Sequence, residues 1–175
     1  YLKGKDSKIL LIWGPRRSGN TTILDKLASE LKVRKFNFDL ESDREKFAPR
    51  REILEKLARE NKIILIDEVQ NYPEATVILK LLHDEFKTKV IATGSSELRQ
   101  KSKDFDTMAG RFSEIFCLPL AISEIINNEK ILGSERQNYD RILAEKLQIF
   151  GSYPEVYTSN NLSELEKIDL LQSVV

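Results

Sequence analysis

The sequence predicts an α/β domain built on a parallel sheet, followed by a helical segment. Apolar runs of strand length, such as 8–13 and 63–66, alternate along the chain with stretches of helical period. Strands covered by helices on both faces have such continuous apolar runs, because neither face meets water. Beyond residue 127 the pattern is helical only, which predicts a core at 1–127 and a helical lid, or the start of a further domain, at 128–175.

The elements follow one another in the order that a parallel sheet requires. The strands are predicted at 8–13, 35–40, 63–66, 89–93 and 112–118. Helices are predicted from Ile23, from Pro49 to Asn61, from Tyr72–Pro73 with a core face that includes Val77, over 120–127, up to Gly151, and from Leu162. Residues 41–47 are predicted to be loop, and 153–155 a turn.

Composition excludes some classes of protein. Lysine plus arginine equals aspartate plus glutamate, at 28 each, so net charge gives no support to binding of nucleic acid or an anionic membrane surface. The sequence contains no apolar run near the ~20 residues of a membrane span and no signal-peptide pattern, which predicts a cytoplasmic protein. Since the chain begins at Tyr1 and stops inside a predicted helix, we expect it to be the front part of a longer protein.

The stretch from Gly14 to Thr22 is the strongest functional signal. It reads GPRRSGNTT and joins the first strand to the first helix, with the glycine spacing of a phosphate-binding loop, G-x-x-x-x-G-K-[ST]. Such a loop wraps backbone N–H groups around phosphate oxygens at a helix N-terminus, and glycine permits the close approach. Thr21 stands where a hydroxyl binds Mg²⁺. The one departure is Asn20, at the lysine position.

Polar residues at other strand ends favour the same kind of site. Asp67 and Glu68 follow an apolar strand, where one acid can serve Mg²⁺ and the other can polarise a water. Ser95, in Thr93–Ser96, can sense a phosphate, although a simple glycine turn explains that segment equally well. Arg111, just before the fifth strand, can stabilise a transferring phosphate, but a surface salt bridge is the competing interpretation.

The ordered motifs resemble those of P-loop ATPases of the AAA+ branch, and in particular a group of predicted archaeal and bacterial ATPases. The matching segments are GPRRSGNTT at 14–22, IDEVQ at 66–70, TGSS at 93–96, AGR at 109–111, PLAISE at 119–124 and GSYPEVY at 151–157. The resemblance implies a five-stranded parallel sheet in the order 5-1-4-3-2, sandwiched by helices. It also implies binding of ATP or ADP with Mg²⁺.

The resemblance also implies roles for individual residues. Thr21 and Asp67 would serve the metal, Glu68 would position the attacking water, and Ser95 would be the first sensor. Arg111 would be an arginine finger that acts on a neighbouring subunit, which implies a homo-oligomer. The nucleotide-binding residues would be Gly14, Pro15, Arg16, Arg17, Ser18, Gly19, Asn20, Thr21 and Thr22.

Asn20 determines how much of the ATPase activity implied by the resemblance can be expected of this chain. A loop lysine places a fixed charge on the β- and γ-phosphates, whereas asparagine is shorter and neutral. The loss of one cation from a partly desolvated site should cost about 2–4 kcal/mol of binding. Three interpretations stay open: Asn20 replaces a natural lysine, the site binds nucleotide without hydrolysis, or a partner supplies another cation.

The leading hypothesis is therefore an ATP-binding AAA+ domain that hydrolyses ATP poorly in this form. One alternative is a non-hydrolysing switch or scaffold whose helical part recognises an unknown protein partner. A second is a nucleic-acid-associated motor subunit, with basic stretches at 32–35, 50–51 and 99–103. Acidic residues interleave with these stretches, which favours solvated surface over a nucleic-acid interface.

Overall fold

A five-stranded, wholly parallel sheet forms the centre of the protein. The computed structural model describes residues 8–96, 105, 108–128, 136–158 and 162–172. The sheet order is β2-β3-β4-β1-β5, which confirms the predicted α/β fold and strand order. The strands are β1 (Ile9–Gly14), β2 (Lys35–Asn37), β3 (Ile63–Asp67), β4 (Lys89–Ser95) and β5 (Phe112–Phe116).

Helices connect and follow these strands. They are α1 (Asn20–Leu31), α2 (Glu41–Arg44), α3 (Arg51–Glu60), α4 (Ala75–Asp84), α5 (Ile122–Asn128), α6 (Arg136–Phe150), α7 (Pro154–Thr158) and α8 (Glu164–Gln172), with short 3₁₀ helices at Glu45–Phe47 and Val69–Asn71. Among the helices of the described ranges, none is both long and apolar enough to cross a membrane.

The chain separates into two compact units. The first holds Tyr1–Gly14 and Asn20–Cys117, and the second holds Pro15–Gly19 and Leu118–Val175. The first therefore contains the entire sheet, while the second contains the loop between β1 and α1 together with the C-terminal helices. The limits predicted from the sequence, a core at 1–127 and a helical part at 128–175, stay a prediction.

The core of the first unit lies on both faces of the sheet. Leu11, Ile64 and Ala92 belong to one buried cluster, whereas Ile12 and Leu65, one position further along their strands, belong to another. Successive side chains of a strand point to opposite faces, so both faces of β1, β3 and β4 are covered. This is why these strands have continuous apolar sequences.

Several local predictions were wrong. Residues 41–47 form α2 and a 3₁₀ helix instead of a loop, because the buried Asp43 carboxylate binds Arg34, Lys46 and the Asn37 backbone N–H. Arg34 and Asn37 are far enough from Asp43 in sequence that charge pattern alone does not reveal these contacts. The segment 153–155 contributes to α7, whose first residue is Pro154, a helical position that proline favours.

The starts of two helices and one core position also differ from the prediction. α3 begins at Arg51 instead of Pro49, and α4 begins at Ala75 instead of Tyr72–Pro73. On α4 the predicted core residue Val77 is 49% exposed, while Leu79 is buried in its place. The sequence period therefore predicted the helix. It did not predict every residue of the buried face, because packing against the rest of the fold determines that face.

In the second unit, α6 ends as its sequence predicts. Gly151 has a φ of 62° and donates its N–H to the carbonyl of Leu147 at 3.0 Å. A residue in this left-handed conformation ends many helices, and glycine adopts it without strain. The predicted stop at Gly151 is confirmed.

Candidate functional site

The carboxyl ends of β1, β3 and β4 carry the polar residues that the sequence singled out. β4 lies between the other two, with Gly14 of β1 opposite Ser95 and Ile66 of β3 opposite Ala92. The strands run in the same direction, so their C-terminal residues meet at one edge. In open α/β sheets ligands bind outside this edge.

Asp67 is the centre of this cluster. Its carboxylate is 3% exposed, and Oδ1 accepts hydrogen bonds from the hydroxyls of Thr93 at 2.6 Å and Thr21 at 3.3 Å. Thr21 lies in the first turn of α1, directly after the loop. The fold thus places the two predicted metal ligands in contact, although they are 46 residues apart in sequence.

Lys35 binds the other oxygen of Asp67. Its ammonium lies 3.2 Å from Asp67 Oδ2 and 2.5 Å from Asp25 Oδ1 on α1. Burial by itself lowers the pKa of Lys35, but the hydrogen bonds and charges of the two carboxylates outweigh it and raise that pKa above its ordinary value. Lys35 is therefore a stable cation beside Asp67.

Asn20 has a structural role at the end of the same strands. Its Nδ2 donates to the carbonyls of Gly14 and Gly94, each at 3.3 Å. These carbonyls belong to β1 and β4, so the amide bridges the two strand ends. The side chain at the lysine position is thus engaged with backbone, and it carries no charge toward a phosphate.

Glu68 and Ser95 are joined through Gln70. Gln70 donates through Nε2 to a carboxylate oxygen of Glu68 and accepts the Ser95 backbone N–H at 3.2 Å. Glu68 has a φ of 55°, in the left-handed region that few residues other than glycine adopt. Such backbone strain is frequent at functional sites. Glu68 and Ser95, two of the predicted catalytic residues, thus both form hydrogen bonds with the side-chain amide of Gln70.

The end of β4 is closely packed and contains an unsatisfied oxygen. A side chain at Gly94 would lie 2.3 Å from Gln70 Oε1 and 2.5 Å from a ring carbon of Trp13, so only glycine fits there. Within the described part of the chain, Ser95 Oγ is a buried side-chain oxygen without a hydrogen-bond partner. Buried hydroxyls are normally satisfied, and a bound polar ligand would be a suitable partner.

The loop between β1 and α1 lies in the second unit and contains two residues in the left-handed backbone region. Arg17 and Gly19 have φ values of 62° and 99°. Ser18 is buried and bonds the Pro15 carbonyl through its backbone N–H at 3.2 Å and through its hydroxyl at 2.8 Å. In the same unit, Arg17 forms a 2.8 Å ion pair with Glu155 of α7.

Arg111 lies at the amino edge of the sheet, whereas Asp67 lies at the carboxyl edge. The carbonyl of Arg111 accepts the N–H of Ile9 at 2.8 Å, so it precedes the first residue of β1, whereas the loop follows Gly14. With about 3.3 Å per residue, the two edges are roughly 16 Å apart along β1. The expectation that Arg111 shares the ligand edge with Asp67 is wrong. A finger that serves a neighbouring subunit stays a prediction.

The guanidinium of Arg111 is bound within its own unit. Its Nε lies 2.8 Å from one Asp84 oxygen and 3.0 Å from the other. His83 contacts the same carboxylate at 2.7 Å. The hydrogen bonds from His83 and Arg111 hold the pKa of Asp84 below its ordinary value. The surface salt bridge that competed with the catalytic interpretation is therefore present.

The residues around Asp67 have the chemistry of a magnesium site that is completed by phosphates. Hydroxyl and carboxylate oxygens are ligands that Mg²⁺ prefers, and Mg²⁺ is usually held by one or two carboxylates plus substrate phosphates. No cluster of three or more metal-binding side chains occurs among the described residues. The Asp67 carboxylate, the Thr21 hydroxyl and the unsatisfied Ser95 Oγ thus fit a metal that arrives with a nucleotide.

Three residues of the site were not predicted from the sequence. Lys35, Thr93 and Gln70 contact Asp67 or link Glu68 to Ser95. Thr93 and Gln70 lie inside the motifs TGSS and DEVQ, so these motifs could have indicated both residues. Lys35 lies at the start of β2, far from any motif, and no pattern in the sequence indicates that it reaches β3.

Comparison with known proteins shows the family of the chain. No curated protein matches the chain at a significant level. A family described as AAA domain matches residues 6–126, which is more than half of the chain and includes the sheet. With this match and a parallel sheet of order 2-3-4-1-5, the chain belongs to the AAA domain family of P-loop proteins.

Proposed function

We propose that this AAA domain binds ATP or ADP together with Mg²⁺ at the carboxyl edge of the sheet and hydrolyses ATP slowly. The observation that carries the proposal is the contact of Thr21 and Thr93 with the buried Asp67. Burial of a carboxylate costs free energy, and at Asp67 both threonine hydroxyls converge on one oxygen, Oδ1. A metal-bound phosphate would use that carboxylate.

Each residue of the site has a distinct task in this proposal. The loop 14–22 binds phosphate oxygens through backbone N–H groups, and Thr21 and Asp67 hold the metal side. Mg²⁺ would neutralise charge on the phosphates when bound. Glu68, oriented by Gln70, would accept a hydrogen bond from the attacking water, and Ser95 Oγ would contact the phosphate. Arg111 would act on the site of a neighbouring copy.

The test of binding uses the single tryptophan. Trp13 directly precedes Gly14 and is fully buried, so its fluorescence should report a ligand at the loop. We expect saturable changes with Mg–ATP and Mg–ADP, confirmed by titration calorimetry. Thr21→Val should reduce the gain in affinity that Mg²⁺ provides, while Ser29→Ala on the exposed side of α1 should bind like the wild type.

Two results would decide against the proposal. The absence of saturable binding at millimolar nucleotide would exclude a nucleotide site in this form of the protein. Equal Mg²⁺ dependence in Thr21→Val and the wild type would exclude Thr21 as a metal-side residue. A cytoplasmic location, predicted from the sequence, forms part of the same proposal and awaits localisation of the tagged protein.

A non-hydrolysing switch is the second candidate, and the position of Asn20 favours it. The amide links the ends of β1 and β4 instead of presenting a charge. The nucleic-acid alternative is weaker, since Arg34, Lys35 and Arg51 pair with acidic side chains. The basic stretch 99–103 lies outside the described residues. Binding without turnover would identify the switch, and salt-dependent binding of DNA would restore the motor hypothesis.

A further inference from the structure

The ammonium of Lys35 occupies a position between two carboxylates at the metal side of the site. It contacts Asp67 Oδ2 from one side and Asp25 Oδ1 from the other. The Lys35 side chain is 21% exposed, and that of Asp67 is 4% exposed. Thr21 and Thr93 both donate to Oδ1 of Asp67. Among the described contacts, the charged partner of Asp67 is Lys35, which binds Oδ2.

The two carboxylates would face each other without Lys35. Both oxygens contact the same nitrogen, so they lie within about 6 Å of one another, a separation at which two negative charges repel each other. Two carboxylates with a nearby hydroxyl are also a donor set for a hard divalent cation. The Lys35 ammonium therefore occupies a position where two carboxylates and a nearby hydroxyl could otherwise bind a divalent cation.

We propose that Lys35 is a positioning residue that acts as a tethered cation: it holds Asp67 in the nucleotide-free protein and competes with a divalent metal for it. The metal then binds only together with the nucleotide phosphates, whose charges shift the balance away from Lys35. This role of Lys35 in coupling metal binding to nucleotide binding rests on the proposed nucleotide site. The competition itself is a property of Lys35, Asp25 and Asp67.

A purely structural salt bridge makes a different prediction. In that case Lys35 only fastens β2 and α1 to β3, and its removal weakens the fold without creating affinity for metal. The tethered-cation proposal requires that removal of the ammonium exposes a divalent site. Metal binding by the nucleotide-free protein therefore separates the two interpretations.

The experiment measures Mn²⁺ binding by electron paramagnetic resonance, in which free Mn²⁺ is observed directly. The wild type and Lys35→Arg should show little binding below the millimolar range. Lys35→Gln and Lys35→Met should bind one Mn²⁺ at least about tenfold more tightly, since the carboxylates lose their competitor. Adding Asp67→Asn to either variant should abolish that gain.

A matched control comes from a lysine with a similar environment. Lys46 pairs with the buried Asp43, and Lys46→Met should not bind Mn²⁺ more tightly than the wild type. If Lys35→Gln or Lys35→Met unfolds without metal, Mn²⁺ should restore a cooperative thermal transition. Wild-type affinity in the folded variants, or no recovery of an unfolded one, overturns the proposal.

Nucleotide titration separates this proposal from the proposed function. Tight Mn²⁺ binding by Lys35→Gln without any nucleotide binding by the wild type would support the competition and contradict the nucleotide site. Nucleotide binding by the wild type with unchanged Mn²⁺ affinity in the Lys35 variants would do the reverse.

Discussion

At the scale of single residues, Asn20 is the position at which the proposed site departs from the phosphate-binding pattern. It lies at the position where the loop pattern has lysine, and its amide binds two strand-end carbonyls. Each such hydrogen bond contributes only about 1 kcal/mol to stability. A lysine at this position would lose these two hydrogen bonds. It would add a positive charge where negative charge develops on the phosphates.

We therefore expect Asn20→Lys to raise ATP turnover. The gain should be about 30- to 1000-fold, which corresponds to about 2–4 kcal/mol of transition-state stabilisation. Adding Glu68→Gln should remove this turnover and preserve nucleotide binding. Glu52→Gln, on the exposed side of α3, is the matched control. A steady-state phosphate-release assay measures all four proteins, and an unchanged rate in Asn20→Lys would show that Asn20 does not limit hydrolysis.

At the scale of elements, Asp43 holds the edge of the sheet next to β2. The carboxylate is 3% exposed and joins Arg34, Lys46 and the Asn37 backbone, so α2 and the following 3₁₀ helix are fixed to the edge strand. Burial by itself raises the pKa of Asp43. The hydrogen bonds from Lys46 and Asn37 and the charges of Lys46 and Arg34 outweigh it, and the pKa is lowered.

This lowered pKa predicts a loss of stability in acid. A carboxyl group with a folded-state pKa below its unfolded value stabilises the protein above the unfolded pKa, and the contribution is lost as the pH falls through the folded pKa. The loss should therefore begin below about pH 4, the ordinary range of aspartate.

Urea unfolding between pH 6 and pH 3 measures this contribution. We expect Asp43→Asn to lower the free energy of unfolding by about 2–3 kcal/mol at pH 6, since charge-assisted hydrogen bonds are lost. The difference from the wild type should shrink toward pH 3. A difference that stays constant with pH would mean that the charge of Asp43 does not contribute.

At the scale of the whole molecule, the position of Arg111 decides how a complete site could form. The residue lies at the amino edge of the sheet and is bound by Asp84, whereas Asp67 of its own chain lies at the carboxyl edge. A second copy of the chain would have to bring its own Arg111 to the phosphates. Under the proposed role of Arg111, full activity would require an assembly of copies.

Mixing of variants tests this arrangement. In the Asn20→Lys background, Arg111→Ala and Glu68→Gln should each be inactive alone, while a mixture should recover part of the activity through mixed interfaces. Arg51→Ala, which removes a comparable exposed pair with Glu85, should keep full activity. If the mixture stays inactive although the variants co-assemble, Arg111 does not act in trans.

The sequence by itself determined the fold class, the strand order through its resemblance, and the ligand edge. Continuous apolar runs reveal strands covered on both faces, and a loop motif identifies its strand and helix because their order is covalent. Thr21 and Asp67 were predicted as metal ligands in the same way, and the structure places their side chains in contact. These properties depend on neighbours along the chain, which a sequence records.

Only the tertiary structure decided which distant side chains meet. Lys35 reaches Asp67 because β2 pairs with β3, and Gln70 joins Glu68 to Ser95 at the end of β4. Arg111 lies at the amino edge, away from Asp67, because β5 starts level with β1. Such contacts depend on the register and direction of strands that are far apart in sequence. For this reason the cation beside Asp67 was found in the structure and not in the motifs.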